Sequence, residues 1–318
     1  MTRARDLPKP LRDRGFTVRQ LSEHGEHPSR AWRTDIVRLE SGVYAHRDIV
    51  AGASEVQLYR LRALALAREY RHAWLSHATG LLLLDCPAAR RVRRNSPVHI
   101  SVPASSAAIT RSGVRCHRVQ SGGVDVMKHP LIRWLRISAP GRLWLEAAAT
   151  FGLAELVAAG DSLVREPYYW AERRQEPYTT VEHLRKMLRD AGGRRGVRRA
   201  REALGLIRVG ADSAKETAFR LAVVGAGLPE PKLQVPVEHR RPGGRRSDAG
   251  YPEYKIAIQY DGATHFTPQQ ARADQRRDNA FVAAGWTVLK FNVEDDREGF
   301  ATAIQQLKVA LLSRGWRP

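Results

Sequence analysis

Residues 255–260 constrain the fold of this chain more than any other part of its sequence. They form a short, nearly continuous apolar run that contains Ile256, Ala257 and Ile258 in succession. Buried central strands have this pattern, whereas strands with one exposed face alternate apolar and polar residues. The run therefore predicts an interior strand of a sheet that is flanked by helices.

The neighbouring residues complete a predicted mixed α/β sheet. Ser213 is suited to cap a helix that ends near Gly225 or Gly227, before Pro229 and Pro231 prevent its continuation. The other expected elements are a strand at 233–237, a polar turn at 242–247, a helix at 268–284, a strand at 287–291 and a helix at 300–312. This order predicts an α/β fold class for the C-terminal part of the chain.

The preceding residues predict two further regions. Residues 8–44 are expected to form short helices capped by Thr17 and Ser29, and then a hairpin that turns at Gly42, which together indicate a winged helix-turn-helix module. The middle region is expected to be mixed α/β, with helices at 56–84, 143–163, 180–188 and 197–206 and strands at 98–102 and 114–119. The predicted domains are 1–50, 51–195 and 196–318.

The charge of the chain favours a polyanionic partner. Its 53 Lys and Arg residues exceed its 33 Asp and Glu residues, which gives a formal net charge of +20. DNA, RNA and anionic membranes carry the opposite charge. A membrane span is not expected, because no apolar run approaches about 18 residues and the run Leu81–Leu84 stops at Asp85.

The cysteines and the N-terminal residues predict a cytoplasmic protein. Cys86 and Cys116 are too few for a disulfide scaffold, and they lack the spacing of a zinc site. Residues 1–14 are charged throughout and have no apolar centre, unlike a secretory signal. A DNA-binding protein in this compartment would be associated with the nucleoid.

Polar residues around the apolar run predict a site for a divalent cation. Asp248 is expected at a turn before the strand, and Gln259 and Asp261, two residues apart, share a face at its far end. Gly262 allows a sharp change of direction that can return His265 towards the same place. Carboxylate oxygens of this kind are the ligands that Mg²⁺ prefers, and metal-dependent phosphodiester cleavage requires them.

This segment resembles the very-short-patch-repair (Vsr) endonucleases and their wider relatives in the PD-(D/E)XK nuclease superfamily. Four landmarks follow the order of that family and cover most of residues 212–296: Glu216 before Gly227-Leu228-Pro229, then Asp248, then Asp261-Gly262 with His265, and then Arg277-Asp278 before Gly285-Trp286. The resemblance implies a restriction-endonuclease-like sheet and a metal-dependent endodeoxyribonuclease.

The resemblance also implies roles for individual residues. Asp248 would be the principal ligand of Mg²⁺ or Mn²⁺, with the backbone carbonyl of Tyr260 and with Asp261 beside it. Glu216 would contact metal-bound water, and His265 would handle a proton, which an ordinary pKa near 6.5 permits.

Two departures from the family pattern leave cleavage open. The wider relatives have Glu where this chain has Gln259, and Asp261 occupies the place of the superfamily lysine. Structural interpretations also stand beside the functional ones. Asp248 can cap a turn and His265 can lie on the surface. Asp274, Arg277 and Asp278 can form an ion-pair face, although Arg277 could also neutralise a phosphate, and Trp286 favours the core.

The N-terminal half resembles AbiEi-type antitoxins and transcription regulators. The resemblance rests on Gly42-Val43-Tyr44 at the end of the hairpin, on Ser76-His77-Ala78 and on Gly141-Arg142-Leu143. It implies either DNA contact through Ser29, Arg30 and Arg33 or docking to a protein partner. A group of basic residues before the nuclease-like domain is a further candidate for phosphate binding: Arg194, Arg195, Arg198 and Arg199.

Three hypotheses about function follow. The first is a Mg²⁺-dependent DNA endonuclease or nickase that acts in DNA repair or defence. The second is an antitoxin-like DNA-binding regulator whose nuclease fold does not cut. The third is an interaction protein that neutralises a toxin.

Overall fold

A computed structural model describes residues 6–120, 126–167, 172, 174–237, 246–261 and 268–318, except for the side chains of 268–271 and 273. The fold is of the α/β class, as the sequence predicts. Contacts divide the chain into two compact units. Unit 1 holds the residues up to Phe151 together with 172, 174 and Glu182–Ala200, and unit 2 holds 152–167, 175–181 and Arg201–Pro318.

This division differs from the three predicted domains. The N-terminal module does not form a unit of its own, because Gln20 Nε2 donates a hydrogen bond to the Ala65 carbonyl at 2.9 Å. The fully buried Arg62 also pairs with Glu40. The boundary at residue 195 is likewise shifted, since the helix Leu153–Val164 joins the C-terminal residues in unit 2.

The N-terminal part of unit 1 has the order of elements that was predicted for a winged helix-turn-helix. Its elements are α1 Lys9–Arg12, β1 Phe16–Thr17, α2 Val18–Glu23, a 3₁₀ helix Pro28–Trp32, β2 Ile36–Glu40 and β3 Val43–His46. The strands form an antiparallel sheet in the order β1-β3-β2 around Leu11, Phe16 and Leu21. The expected second helix is only this 3₁₀ helix, and the His27 side chain caps it instead of Ser29.

The rest of unit 1 is built on a five-stranded sheet in the order β6-β5-β4-β8-β7. Its elements are α3 Arg47–Val50, α4 Glu55–Glu69, β4 Trp74–Leu75, α5 His77–Leu83, a 3₁₀ helix Pro87–Arg91, β5 Val98–Pro103, β6 Val114–Val119, β7 Val126–Lys128, β8 Arg136–Ser138 and α6 Pro140–Ala147. The single helix expected at 56–84 is wrong, because Trp74 and Leu75 pair with β5. No helix among the described residues has the length and apolar character needed to cross a bilayer.

The remaining elements are α7 Leu153–Val164, α8 Val181–Asp190, α9 Val197–Leu206, α10 Ala214–Gly225, β9 Lys232–Pro236, β10 Arg246–Tyr251, a 3₁₀ helix Pro252–Tyr254, β11 Ile256–Asp261, α11 Pro268–Ala283, β12 Thr287–Asn292, α12 Val293–Arg297 and α13 Ala301–Ser313. The prediction that Ser213 caps a helix is confirmed, since its side chain accepts from the Glu216 N–H. The predicted helix at 143–163 is interrupted between Ala147, where α6 ends, and Leu153, where α7 begins after Gly152.

Unit 2 contains a four-stranded sheet in the order β12-β11-β10-β9. The predicted central strand is therefore confirmed as β11, which pairs in parallel with β12 and antiparallel with β10. One face of β11 packs through Ile256 and Ile258 against a core that includes Phe219 and Leu307. Because strand side chains alternate, Gln259 and Asp261 share the opposite face.

Candidate active site

Asp248 lies inside β10, so its predicted position at a turn is wrong. Ala249 pairs with Ile258, and β9 pairs with the other edge of β10, which extends this segment into a strand. The Tyr260 backbone N–H donates to Asp248 Oδ2 at 2.7 Å. The carboxylate of Asp248 is therefore directed at the end of β11, as a shared site requires.

Gln259 presents a buried amide on β11, the strand next to the one that carries Asp248. Its side chain is 1% exposed, and neither Oε1 nor Nε2 has a hydrogen-bond partner among the described residues. An unpaired buried amide costs about 1–3 kcal/mol, so such groups are rare without a function or a ligand. We interpret this amide as a group that a bound cation or substrate would satisfy.

Lys290 lies on the strand next to Gln259, and it was not among the residues predicted from the sequence. Parallel pairing places Lys290 of β12 in register with Gln259, and Asn292 in register with Asp261. The Lys290 ammonium pairs with Asp278, which raises the pKa of Lys290, and the charge of Asp261 adds to the effect. A cationic side chain therefore lies on β12, the strand that pairs with the one carrying Gln259 and Asp261. The parallel register was the only signal for it.

Glu216 contributes a second carboxyl group near Asp248. Its Oε2 accepts from the Asp212 N–H at 2.9 Å, while its own N–H donates to Ser213 Oγ at 3.2 Å. Burial, and then the charge of Asp248, raise the pKa of Glu216 to about 8. Burial also raises the pKa of Asp248 to about 6, partly offset by the Tyr260 N–H. Carboxyl groups held in this way favour a compensating cation.

The acidic residues do not yet form a closed set of ligands. Within the described ranges, no three of these carboxylates have ligand atoms that are all mutually adjacent. Mg²⁺ commonly keeps several waters and uses only one or two carboxylates together with substrate phosphates. An open arrangement of Asp248 and Asp261 is therefore compatible with such an ion.

Some predicted participants remain untested by these contacts. His265 and Gly262 lie outside the described residues. Tyr260 contacts Asp248 through its N–H, and the role of its carbonyl as a metal ligand stays a prediction.

The acidic and basic residues of α11 form the ion-pair face that their spacing predicts. Arg277 lies 3.1 Å from Asp274 and 3.8 Å from Asp278. Its charge partly offsets the rise that burial causes in the pKa of Asp248. Phosphate binding by Arg277 stays a prediction. Trp286 is half-buried and packs edge-on against the buried Phe281, with ring centroids 5.3 Å apart, so its assignment to the core stays a prediction.

The predicted DNA contact through Arg30 does not fit the structure. Its side chain is 8% exposed and forms a two-fold ion pair with Asp35, at 2.7 Å from Nη1 to Oδ1 and 2.5 Å from Nη2 to Oδ2. Ser29 and Arg33 are exposed, and so is Trp32, at 73% of its surface. Any recognition surface on this 3₁₀ helix would therefore use Trp32 and Arg33 rather than Arg30.

The arginine group before α10 has mixed roles. Arg199 donates to the Ala148 and Phe151 carbonyls at 3.0 and 2.7 Å, which ties it to the end of α6. Arg194, Arg195 and Arg198 are exposed. All four belong to unit 1 rather than to unit 2, so any phosphate contacts that they make would belong to unit 1.

The raised pKa of Glu216 predicts how stability depends on pH without metal. An unfolded Glu ionises near pH 4.5 and the folded Glu216 near pH 8, so its contribution to stability is complete below pH 4.5 and lost as pH rises through 8. Glu216→Gln removes this loss. In EDTA, the difference in the free energy of unfolding between Glu216→Gln and the natural chain should increase in favour of the variant. The increase from pH 5 to pH 9 should be at least about 1 kcal/mol.

Urea titrations at pH 5, 7 and 9 would measure this difference. Glu253→Gln is the matched control, because the hydrogen bond from Lys232 lowers the pKa of Glu253 and its carboxylate therefore stays ionised between pH 5 and pH 9. A difference for Glu216→Gln that stayed constant with pH would contradict the interpretation.

Comparison with known proteins gives relatives without a stated activity. No family model matches the chain. Two Mycobacterium tuberculosis proteins, uncharacterized protein MT2308 of strain CDC 1551 / Oshkosh and uncharacterized protein Rv2248 of strain ATCC 25618 / H37Rv, are each 34% identical over 106 residues. The matched part is 33% of this chain, and the chain spans 39% of the length of these relatives.

One solved structure is also similar to the chain. The crystal structure of the RV2827C protein from Mycobacterium tuberculosis has 20% sequence identity and a TM-score of 0.36, covering 70% of this chain and 79% of that chain. A TM-score of this size supports no argument about fold or function.

Proposed function

We propose that this protein is a Mg²⁺-dependent DNA endonuclease or nickase that acts in DNA repair or defence. The observation that carries the proposal is the placement of Asp248, Gln259 and Lys290 on three adjacent strands of one sheet, β10, β11 and β12. Asp248 accepts a hydrogen bond from the Tyr260 N–H. Gln259 holds a buried amide with no hydrogen-bond partner among the residues that the structure describes, and Lys290 is in register with Gln259. The net charge of +20 supports a nucleic acid as the substrate.

The donor atoms at this site fit Mg²⁺ or Mn²⁺. Asp248 and Asp261 would supply carboxylate oxygens, and Gln259 would supply a neutral amide oxygen in place of the family's Glu. The unpaired Oε1 of Gln259 supports this fit, since coordination would satisfy it. When bound, the ion would stabilise negative charge on a phosphoryl oxygen.

The other residues have roles that follow from their contacts. The Tyr260 N–H orients Asp248, and Lys290 places a positive charge where the phosphate gains negative charge during cleavage. Glu216, with a pKa of about 8, can hold or release a proton near neutral pH. All of these groups belong to residues that the structure describes.

A non-cutting DNA-binding regulator is the second candidate. Gln259 in place of a carboxylate favours it, and so does the open arrangement of the acidic residues. The exposed Trp32 and Arg33 beside the N-terminal sheet are also compatible with contact to DNA or to a protein partner. The two candidates differ in a single measurable property, the cleavage of DNA.

A cleavage assay on full-length protein separates the candidates. Supercoiled plasmid, mismatched duplex and single-stranded oligonucleotides are each incubated with Mg²⁺, Mn²⁺ or EDTA. We expect nicked or linear product with Mg²⁺ or Mn²⁺ and none with EDTA, because the ion is needed to stabilise the transition state. Gel-shift binding in EDTA is measured in parallel. DNA binding without product in either metal would reject the endonuclease and favour the regulator.

A further inference from the structure

Three histidines of unit 1 form a cluster that is separate from the nuclease-like unit. His77 begins α5, and His99 and His117 lie on the adjacent parallel strands β5 and β6. One nitrogen from each ring lies within 4.8 Å of the other two, and His99 Nδ1 is 3.0 Å from His117 Nε2. The rings are stacked, with 3.7 Å between the centroids of His77 and His117.

From this arrangement we infer that His77, His99 and His117 bind a divalent transition-metal ion, with Zn²⁺ as the preferred ion. Three imidazole ligands and one open position are an established coordination set for zinc, and neutral imidazole nitrogen is a preferred donor for it. Bond lengths of about 2.0–2.1 Å place tetrahedral ligand atoms about 3.3 Å apart. Rotations of the rings would bring the three nitrogens to that spacing.

The surroundings of His77 resemble those of a metal-binding histidine. Its Nδ1 lies 3.0 Å from Ser76 Oγ and 3.6 Å from Glu146 Oε2, so that nitrogen can donate to these oxygens and leave Nε2 as the nitrogen that can bind a metal. Glu146 is fixed in turn by Arg142 Nε at 2.9 Å and Ser138 Oγ at 3.3 Å. Outer carboxylates of this kind orient metal-binding imidazoles and raise their basicity.

The backbone at His77 provides an independent indication. Its φ angle is +52°, in the left-handed region that residues other than glycine seldom adopt. The Glu146 carboxylate holds this conformation by accepting the His77 N–H at 3.0 Å. Such strained residues concentrate at ligand and catalytic sites.

Metal analysis of the full chain tests the inference. Protein is stripped with EDTA, incubated with Zn²⁺, desalted and analysed by mass spectrometry, and Co²⁺ uptake is followed by visible absorption. We expect about one Zn²⁺ per chain and the absorption of four-coordinate Co²⁺. His99→Gln and His117→Gln should each lower zinc content below about 0.1 per chain, and Glu146→Gln should weaken affinity by about 10- to 100-fold.

Two controls keep the outcome decisive. His72→Gln changes an exposed histidine outside the cluster, so it should keep full zinc uptake. Circular dichroism spectra identify variants that do not fold, and His117→Gln, at a partly exposed position, is the variant expected to fold if His99→Gln does not. No uptake by the natural chain, or unchanged uptake in a folded cluster variant, would overturn the inference.

Discussion

Asp248→Asn is expected to lower the rate of Mg²⁺-dependent plasmid nicking by at least about a hundredfold, which corresponds to about 2.7 kcal/mol of transition-state stabilisation. The variant removes the negative charge that would hold the ion. It keeps an oxygen in the place of Oδ2, so it can still accept the Tyr260 N–H that now lies 2.7 Å away. The fold and the binding of DNA should therefore be preserved while cleavage is lost.

The control for this experiment is another change of a carboxylate to an amide in unit 2. Glu253→Gln alters an exposed side chain that pairs with Lys232, and it should leave nicking within about twofold of the natural rate. Rates are measured under single-turnover conditions with saturating Mg²⁺, and binding by gel shift. Nicking by Asp248→Asn at the natural rate would remove Asp248 from the proposed site.

The elements set by local sequence patterns were predicted well. The apolar run at 255–260 became β11, and the capping Ser213 fixed the start of α10. The strand at Val114–Val119 and the helix at Val197–Leu206 have the predicted limits. Periodicity and capping are local properties, so the chain itself contains their signal.

The errors concern contacts between distant residues. Asp248 was placed at a turn because it directly follows the polar turn predicted at 242–247, yet pairing with β9 and β11 extends this segment into a strand. Lys290 was overlooked because only the parallel register relates it to Gln259. Arg30 was assigned to DNA contact by the resemblance of the N-terminal half. Its burial against Asp35 depends on the packing of the chain, so the sequence alone did not reveal it. Candidate residues could thus be chosen from the sequence, whereas their arrangement needed the sheet.

A buried ion pair supports the helix that carries Glu216, and the sequence analysis did not single it out. Asp161 of α7 and Arg220 of α10 are each 1% exposed and lie 3.0 Å apart. Asp161 also accepts from Thr217 Oγ1 at 2.8 Å and from the Arg208 N–H at 2.7 Å. Thr217 directly follows Glu216, so this carboxylate fixes the first turn of α10.

Asp161→Ala is therefore expected to lower the free energy of unfolding by about 3–5 kcal/mol, because it leaves the Arg220 guanidinium buried without its buried partner. Glu230, 2.7 Å from Arg220 Nη1, is a third exposed and can compensate only in part. Urea unfolding at pH 7 measures the loss. Glu253→Ala, which breaks an exposed pair, should cost no more than about 1 kcal/mol.

The double variant Asp161→Ala with Arg220→Met tests the cause of that loss. If the cost comes from the uncompensated charge, replacing the arginine by an apolar side chain should recover part of the stability, since an apolar pair can substitute for a buried ion pair. If the cost comes only from lost packing, the double variant should be less stable than Asp161→Ala. A single variant within about 1 kcal/mol of the natural chain would instead mean that α10, and with it Glu216, is held in place by the packing of its own Phe219 and Val223 into the core.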